Sequence, residues 1–236
     1  RAVPRQRIGD LLLDTPTPSP GENLDTADAL KLPRAFGDET PDIGRGIIVI
    51  PDISGYTGLV STQDLIHAHE VVTRLMKAIM HEGWEAMQVS KLIGDAVLMY
   101  CPHHERDDPA ALQRSVLRQI RAVYQAFVQE RDRAFADRKI CPCAGCQEAP
   151  ALELKFVVHW GEFAVYHIDP FQELMGREVI VAFRLLKNQL DSDRYVLMTG
   201  DFMDLDPAIK ATLDGVGTEE YPYLGEISIG WFDPAA

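Results

Sequence analysis

Ile47-Ile-Val-Ile-Pro-Asp-Ile-Ser-Gly-Tyr-Thr57 and, downstream, Lys91-Leu-Ile-Gly-Asp95 decide how this chain of 236 residues reads. The first stretch opens as an apolar, β-branched run, the pattern of a buried strand. It ends in Asp52 and a Gly-containing turn. The second is a tight Gly-Asp turn between two further strands. Two acids, Asp52 and Asp95, are thus delivered from strand ends, with the backbone amides of Gly55, Tyr56 and Thr57 beside one of them. That is what a magnesium–triphosphate site requires. A hard cation takes one or two carboxylates and lets phosphates supply further oxygens, while the amides opening the next helix face those phosphates.

Working outward, residues 1–45 hold six of the fifteen prolines and no sustained apolar period. They read as a tail or linker, with a short helix near 8–13, ahead of one domain over 46–236. The first strand is expected at 46–53. Thr62 or Ser61 then caps a helix with Asp64 in its first turn, and Leu65, Val72, Leu75, Met76 and Ile79 fall at helical spacing to about 82. Strands at 84–90 and 95–101 flank a turn at 91–94. Asp108-Pro109 opens a helix whose stripe runs through Leu112, Val116, Ile120, Val123 and Phe127 to about 138. Strands at 152–159 and 163–168 are expected to turn at Gly161. A helix over 177–190 should bury Val179, Phe183 and Leu186. A strand at 195–199, a short helix near 202–213 and strands at 216–221 and 226–232 follow. The order predicts an α+β domain, a mixed and mainly antiparallel sheet with helices packed on one face.

The formal charge of −13 argues against nucleic acid as a partner, because phosphate contacts need clustered Lys and Arg. No apolar run reaches the length of a membrane span. Three of the four cysteines crowd into Cys141-Pro-Cys-Ala-Gly-Cys146, unlike a secreted disulfide framework, so a reducing, cytoplasmic setting is expected. Three thiolates so close suit zinc, which wants four ligands in a tetrahedron. Candidates for the fourth are His67, His69, His103, His104, a water or a partner chain, with Cys101 expected at the far edge of the sheet. Unligated cysteines or a Cys143/Cys146 redox pair are the alternatives. His159, behind the apolar run Phe156-Val-Val158, reads as a core histidine whose ring nitrogens are satisfied. Trp84, Trp160 and Trp231 read as packing residues.

Four segments stand in the order, and near the spacing, found in class III nucleotide cyclase domains: IPDISGYT (50–57), KLIGDAVLMY (91–100), LKFVVHWGE (154–162) and ELMGREVIVAFRLL (173–186). Over about 46–233 the chain resembles that adenylate/guanylate cyclase superfamily, in a divergent bacterial branch without an assigned reaction. The resemblance implies a ferredoxin-like fold and a head-to-tail homodimer with sites at the subunit interface. It implies two Mg2+ or Mn2+ ions on Asp52, Asp95 and the Ile53 carbonyl. These would activate a ribose 3′-hydroxyl, which attacks the α-phosphorus and expels pyrophosphate. Lys91 and Glu173 fall at the positions that read the purine base, and Arg184 at that of the arginine steadying phosphate charge.

Two departures stand out. Ile180 replaces the asparagine that orients the ribose, and Tyr223-Leu-Gly-Glu226 lacks the lysine that grips the triphosphate. Two functions therefore stay open. One is an enzyme converting a purine nucleoside triphosphate to a 3′,5′-cyclic nucleotide and pyrophosphate. The other is a catalytically degenerate cyclase-homology domain that binds a nucleotide or another ligand as a regulatory module. A purely structural dimer is a third, weaker option.

Overall fold

A computed structural model describes residues 41–61, 65–81, 87–137, 141–168 and 171–236. The helix expected near 8–13, the cap at Thr62 and Asp64, and Trp84 lie outside the described residues. The apolar run forms the middle of β1 (Asp42–Ser54), which starts four residues earlier than expected. Ile47, Ile48, Val49 and Ile50 are all fully buried. Successive side chains of a strand point to opposite faces, so a run apolar at every position needs cover on both sides.

The cover comes from helices, of which the described residues form six. After β1 come α1 (Tyr56–Val60) and α2 (Leu65–His81), then the hairpin of β2 (Gln88–Ile93) and β3 (Ala96–Pro102), then α3 (Pro109–Asp137). Next are α4 (Ala144–Glu148), β4 (Glu153–Ile168), β5 (Phe171–Met175) and α5 (Arg177–Leu185). The chain closes with β6 (Val196–Thr199), α6 (Gly200–Met203), β7 (Gly215–Tyr221) and β8 (Gly225–Phe232). Asp108 caps α3 as its sequence predicts, accepting from the amides of Ala110 and Ala111 at 3.0 and 3.2 Å.

The eight strands run in the order β2-β3-β1-β4-β6-β8-β7, with β5 also paired to β4. All pairs are antiparallel except β4 with β6. Within this sheet β1, α2, β2, β3, α3 and β4 make the ferredoxin-like βαββαβ unit that the sequence implies. The helices, however, lie on both faces. Ile47 and Val49 pack with Leu75 and Ile79 of α2, Ile120 and Phe127 of α3, and Phe202 of α6. Ile48 and Ile50 pack with Val179, Val181, Ala182 and Leu185 of α5. The one-faced arrangement is corrected by the burial of β1 itself.

Gly161 does not turn the chain. β4 runs straight through it and pairs with β1 over its length, Gly161 facing Gly46. A Cβ on Gly161 would lie 2.5 Å from Cγ of Glu178, so this glycine serves close approach of α5 rather than reversal. Reversal comes later, between β4 and β5. Lys91 lies within β2, and the turn is the two residues Gly94-Asp95, because Ile93 already pairs with Ala96. The helix expected to continue to 190 ends at Leu185, and the one near 202–213 is α6 followed by a 3-10 turn over Pro207–Thr212.

Candidate functional site

Register builds the acidic pair. Asp52 sits near the end of β1, opposite Ala96 of β3 on one side and Lys155 of β4 on the other. The Ile53 amide donates to the Asp95 carbonyl at 3.3 Å, fastening the Gly94-Asp95 turn to β1. The Asp95 carboxyl is thereby held beside Asp52. Burial, and then the charge of Asp52, raise its pKa above the ordinary aspartate range. Directly opposite residues on neighbouring strands share a face, and the Lys155 ammonium lies 3.1 Å from Asp52 Oδ2. Burial opposes that charge, but Asp52, Tyr195 and Asp95 outweigh it and raise the Lys155 pKa.

One observation tests whether these groups suit a divalent cation with phosphates. The Ser54 hydroxyl is buried without a hydrogen-bond partner, and strand alternation puts Ser54 on the same face as Asp52. Two facing carboxylates and an orphaned hydroxyl beside the φ +86° turn at Gly55 fit hard-cation chemistry. Asp52, Asp95 and the Ile53 carbonyl would hold the ion, with Lys155 giving up Asp52. The amides of Tyr56 and Thr57 open α1, where no carbonyl of the preceding helical turn exists to receive them. Lys155 is not visible as a site residue in the sequence, since no local pattern encodes which residue faces Asp52 from a strand a hundred positions away. The burial that leaves the Ser54 hydroxyl without a partner is likewise set by the fold.

Lys91 and Glu173 are brought together in a direct ion pair between β2 and β5. Around them Ser90 donates to the Gln172 carbonyl at 3.1 Å, Gln172 donates to the Tyr100 hydroxyl, and that hydroxyl donates to Gln88 at 2.8 Å. Lys91 is opposite Leu98 while Asp52 is opposite Ala96, one pleat along the intervening β3. Strand spacing and rise then separate the two Cα atoms by about 12 Å. Arg184 is on the exposed side of α5, not within its apolar stripe, four residues from the half-exposed Ile180. Its charge opposes the burial and the Glu219 carboxylate that push the Tyr221 phenol up to about 12. The Tyr223–Gly225 reversal between β7 and β8 has Tyr223 in the left-handed region and carries no cation.

His159 is a satisfied core histidine. Its Nε2 meets Glu178 Oε2 and its Nδ1 meets Thr199 Oγ1, each at 2.8 Å. Burial lowers its pKa despite the carboxylate, so the neutral ring donates from Nε2 and accepts at Nδ1.

The clustered cysteines form a second centre. One ligand atom from each of Cys141, Cys143, Cys146 and His67 lies within 4.8 Å of all the others. His67 projects from the first turn of α2. The other three candidate histidines lie elsewhere: His69 beside Thr73, His103 against Trp160 and the Asp107 carbonyl, and His104 in the turn held by Asp107. Cys101 is buried in the core beneath α2 and α3, where burial pushes its thiol up to about 11.

Residues 72–195 match the family described as "Protein of unknown function (DUF2652)", and the chain belongs to that family. It is 28% identical over 165 residues, 70% of this chain and 74% of the relative, to an uncharacterised protein of Mycobacterium tuberculosis, Rv2561/Rv2562. The fold is that of class III adenylyl and guanylyl cyclases. The adenylyl cyclase CyaB from Pseudomonas aeruginosa superposes with a TM-score of 0.63 at 15% identity, over 83% of this chain and 97% of that one. The guanylyl cyclase Cya2 does so at 0.61 and 14%, over 82% and 93%. A class III adenylyl cyclase-like ATP-binding protein from Pseudomonas aeruginosa gives 0.62 and 14%, over 75% of this chain and 38% of that one. Among the described residues no helix is long and apolar enough to cross a membrane.

Proposed function

We propose that this chain, as a homodimer, binds a purine nucleoside triphosphate with divalent cations in the cleft headed by Asp52 and Asp95, and that binding rather than rapid cyclisation is its task. The observation that carries the reading is the Asp95 carboxyl held beside Asp52 at the end of β1. Mg2+ or Mn2+ on that pair would neutralise phosphate charge. The Tyr56 and Thr57 amides and the Ser54 hydroxyl would receive phosphate oxygens, and Lys91 with Glu173 would face the base. Domain bounds near 46–236 and a reducing, cytoplasmic setting go with this reading.

Slow turnover is argued from the donors that are lacking. Ile180 cannot hydrogen-bond a ribose, and the β7–β8 turn offers no ammonium. A charge-assisted hydrogen bond contributes about 1.5–3 kcal/mol. That is the loss at the absent lysine. The absent asparagine costs a neutral hydrogen bond, about 0.5–1.5 kcal/mol, and the two together lower a rate by about 1.5–3 powers of ten, at about 1.4 kcal/mol per decade. Lys155 adds a competitor for Asp52.

Calorimetry with Mn2+ and each nucleoside triphosphate tests the reading. Purine triphosphate should bind, bind far more weakly to Asp52→Ala, and yield little cyclic product. No heat with any triphosphate in the presence of Mn2+ overturns it. The second reading, a working cyclase, is favoured by retention of both acids. It predicts Mn2+-dependent cyclic nucleotide and pyrophosphate that vanish in Asp52→Ala.

A further inference from the structure

We propose that His67, Cys141, Cys143 and Cys146 form a closed structural zinc site that clips the segment between α3 and β4 onto α2. The sequence leaves the fourth ligand open among several groups; the fold selects one. His67 Nδ1 lies 3.3 Å from the Cys143 sulfur, 3.5 Å from that of Cys141 and 3.7 Å from that of Cys146. Zinc–nitrogen bonds of about 2.0–2.1 Å and zinc–sulfur bonds of about 2.3 Å, set at tetrahedral angles, give N···S edges of about 3.6 Å. The three edges of the structure bracket that value, and they all converge on one nitrogen. Among the described residues the cluster holds thiols and one imidazole and no carboxylate, a donor set unlike that wanted by the hard cations proposed for Asp52 and Asp95. Thiolates with one imidazole select zinc among the common divalent ions.

The surroundings suit a closed structural centre rather than a catalytic one. All four corners are protein atoms, so no position is left for water or substrate. The Cys146 amide donates to the Cys143 sulfur at 3.4 Å, a bond that stabilises a thiolate. Gln147 holds the backbone at Cys141, its side chain donating to that carbonyl at 2.8 Å. Three sulfurs within a six-residue run and a nitrogen 74 residues earlier close a long loop, where a clip removes most chain entropy from the unfolded state.

The clip also reaches the end of β1. α4 packs against α1 and α2, Ala149 and Leu152 enter the same core as Leu59 of α1, and the Leu152 side chain lies 3.2 Å from where a Cβ on Gly55 would stand. Zinc bound to His67 and the three cysteines therefore holds the platform on which the Ser54–Thr57 turn rests.

The test is metal analysis and Co2+ substitution of the full chain purified under reducing conditions without chelator. One zinc per chain is expected. The Co2+ form should show the red d–d bands of a tetrahedral ion and intense thiolate charge transfer in the near ultraviolet. His67→Ala should weaken zinc binding roughly 100-fold or more, since changes in groups merely supporting the ligands already cost about 10–100-fold. His67→Cys should retain the metal with shifted Co2+ bands, and His69→Ala should leave it unchanged. Removing zinc should lower the midpoint of thermal unfolding and speed amide exchange in α1. Zinc well below one equivalent even after reconstitution, a Co2+ spectrum without thiolate bands, or a Cys143–Cys146 disulfide in anaerobically purified protein would overturn the assignment. The spectrum of the unaltered chain decides even if a variant folds poorly. Nucleotide enters none of these measurements, so their outcome is separate from that of the calorimetry above.

Discussion

Register alone sets Lys155 across from Asp52, and the charge it supplies offsets the mutual repulsion of the two acids. Lys155→Met should therefore act in opposite directions on two measurements. Unfolding experiments without divalent ions should show a loss of about 2 kcal/mol, because Asp52 is left with a buried charge and no partner. Titration with Mn2+ should show several-fold tighter binding, because the competing ammonium is gone. Asp95 makes a pH prediction with a definite sign. Its pKa is raised on folding, so its favourable contribution is fully present below the unfolded aspartate value of 3.8 and is lost as pH rises through the higher folded value. Asp95→Asn should remove that decline and stabilise the metal-free protein at neutral pH, while abolishing its response to Mn2+. Stability curves of the two proteins that run parallel from acid to neutral would contradict this. The resemblance finds Asp52, Asp95, Lys91 and Glu173 because each lies inside a local motif. Lys155 and Ser54 also lie inside such segments, but that Lys155 faces Asp52, that the Ser54 hydroxyl is buried without a partner, and that His67 is the histidine beside the cysteines are all set by the tertiary fold.

At the scale of elements, β4 carries most of what the sequence misreads. Its glycine invites a turn, yet the glycine is there to admit α5. Gly161→Ala should cost about 1–3 kcal/mol through overpacking against Glu178, read as a lowered denaturation midpoint. Two residues earlier, His159 ties β4 to Thr199 at the end of β6 and to Glu178 of α5. His159→Leu should cost about 1–3 kcal/mol, because the buried Thr199 hydroxyl loses its ring partner and Glu178 Oε2 its donor, while Arg177 still holds Glu178 Oε1. The pH sign here is opposite to that of Asp95. Burial lowers the His159 pKa, so its contribution is present above the ordinary value of 6.5 and fades as pH falls through the lower folded value. The long periodic helix α3 and the strands β3, β6, β7 and β8 were legible within a residue or two, because burial periodicity and caps are local. The strand β5 was not, since Phe171–Met175 gains its identity only by pairing with β4. The cover of β1 on both faces was implicit in its unbroken apolar run, but the segment order did not say on which side each helix lies, and it missed the short helices α1 and α4.

For the molecule as a whole, the proposed homodimer has a surface to work with. Val89, Leu92 and Ile93 of β2, Met175 of β5 and Ile180 of α5 are exposed, and β2 and β5 are drawn together by Lys91 and Glu173. Sedimentation should show a dimer, and Leu92→Glu should shift it to monomer without changing the far-ultraviolet spectrum; a monomer at all concentrations in the parent chain would remove the dimer from the proposal. The thirteen-residue pairing of β1 with β4 joins segments about a hundred positions apart. A ribosome delivers residues at roughly 5–20 per second. For several seconds of synthesis the stickiest run of the chain, Ile47–Ile50, has emerged while its β4 partner strand has yet to be made. Expression yield should accordingly depend on chaperone supply and on growth temperature, and any shortened form ending before β4 should accumulate as inclusion bodies.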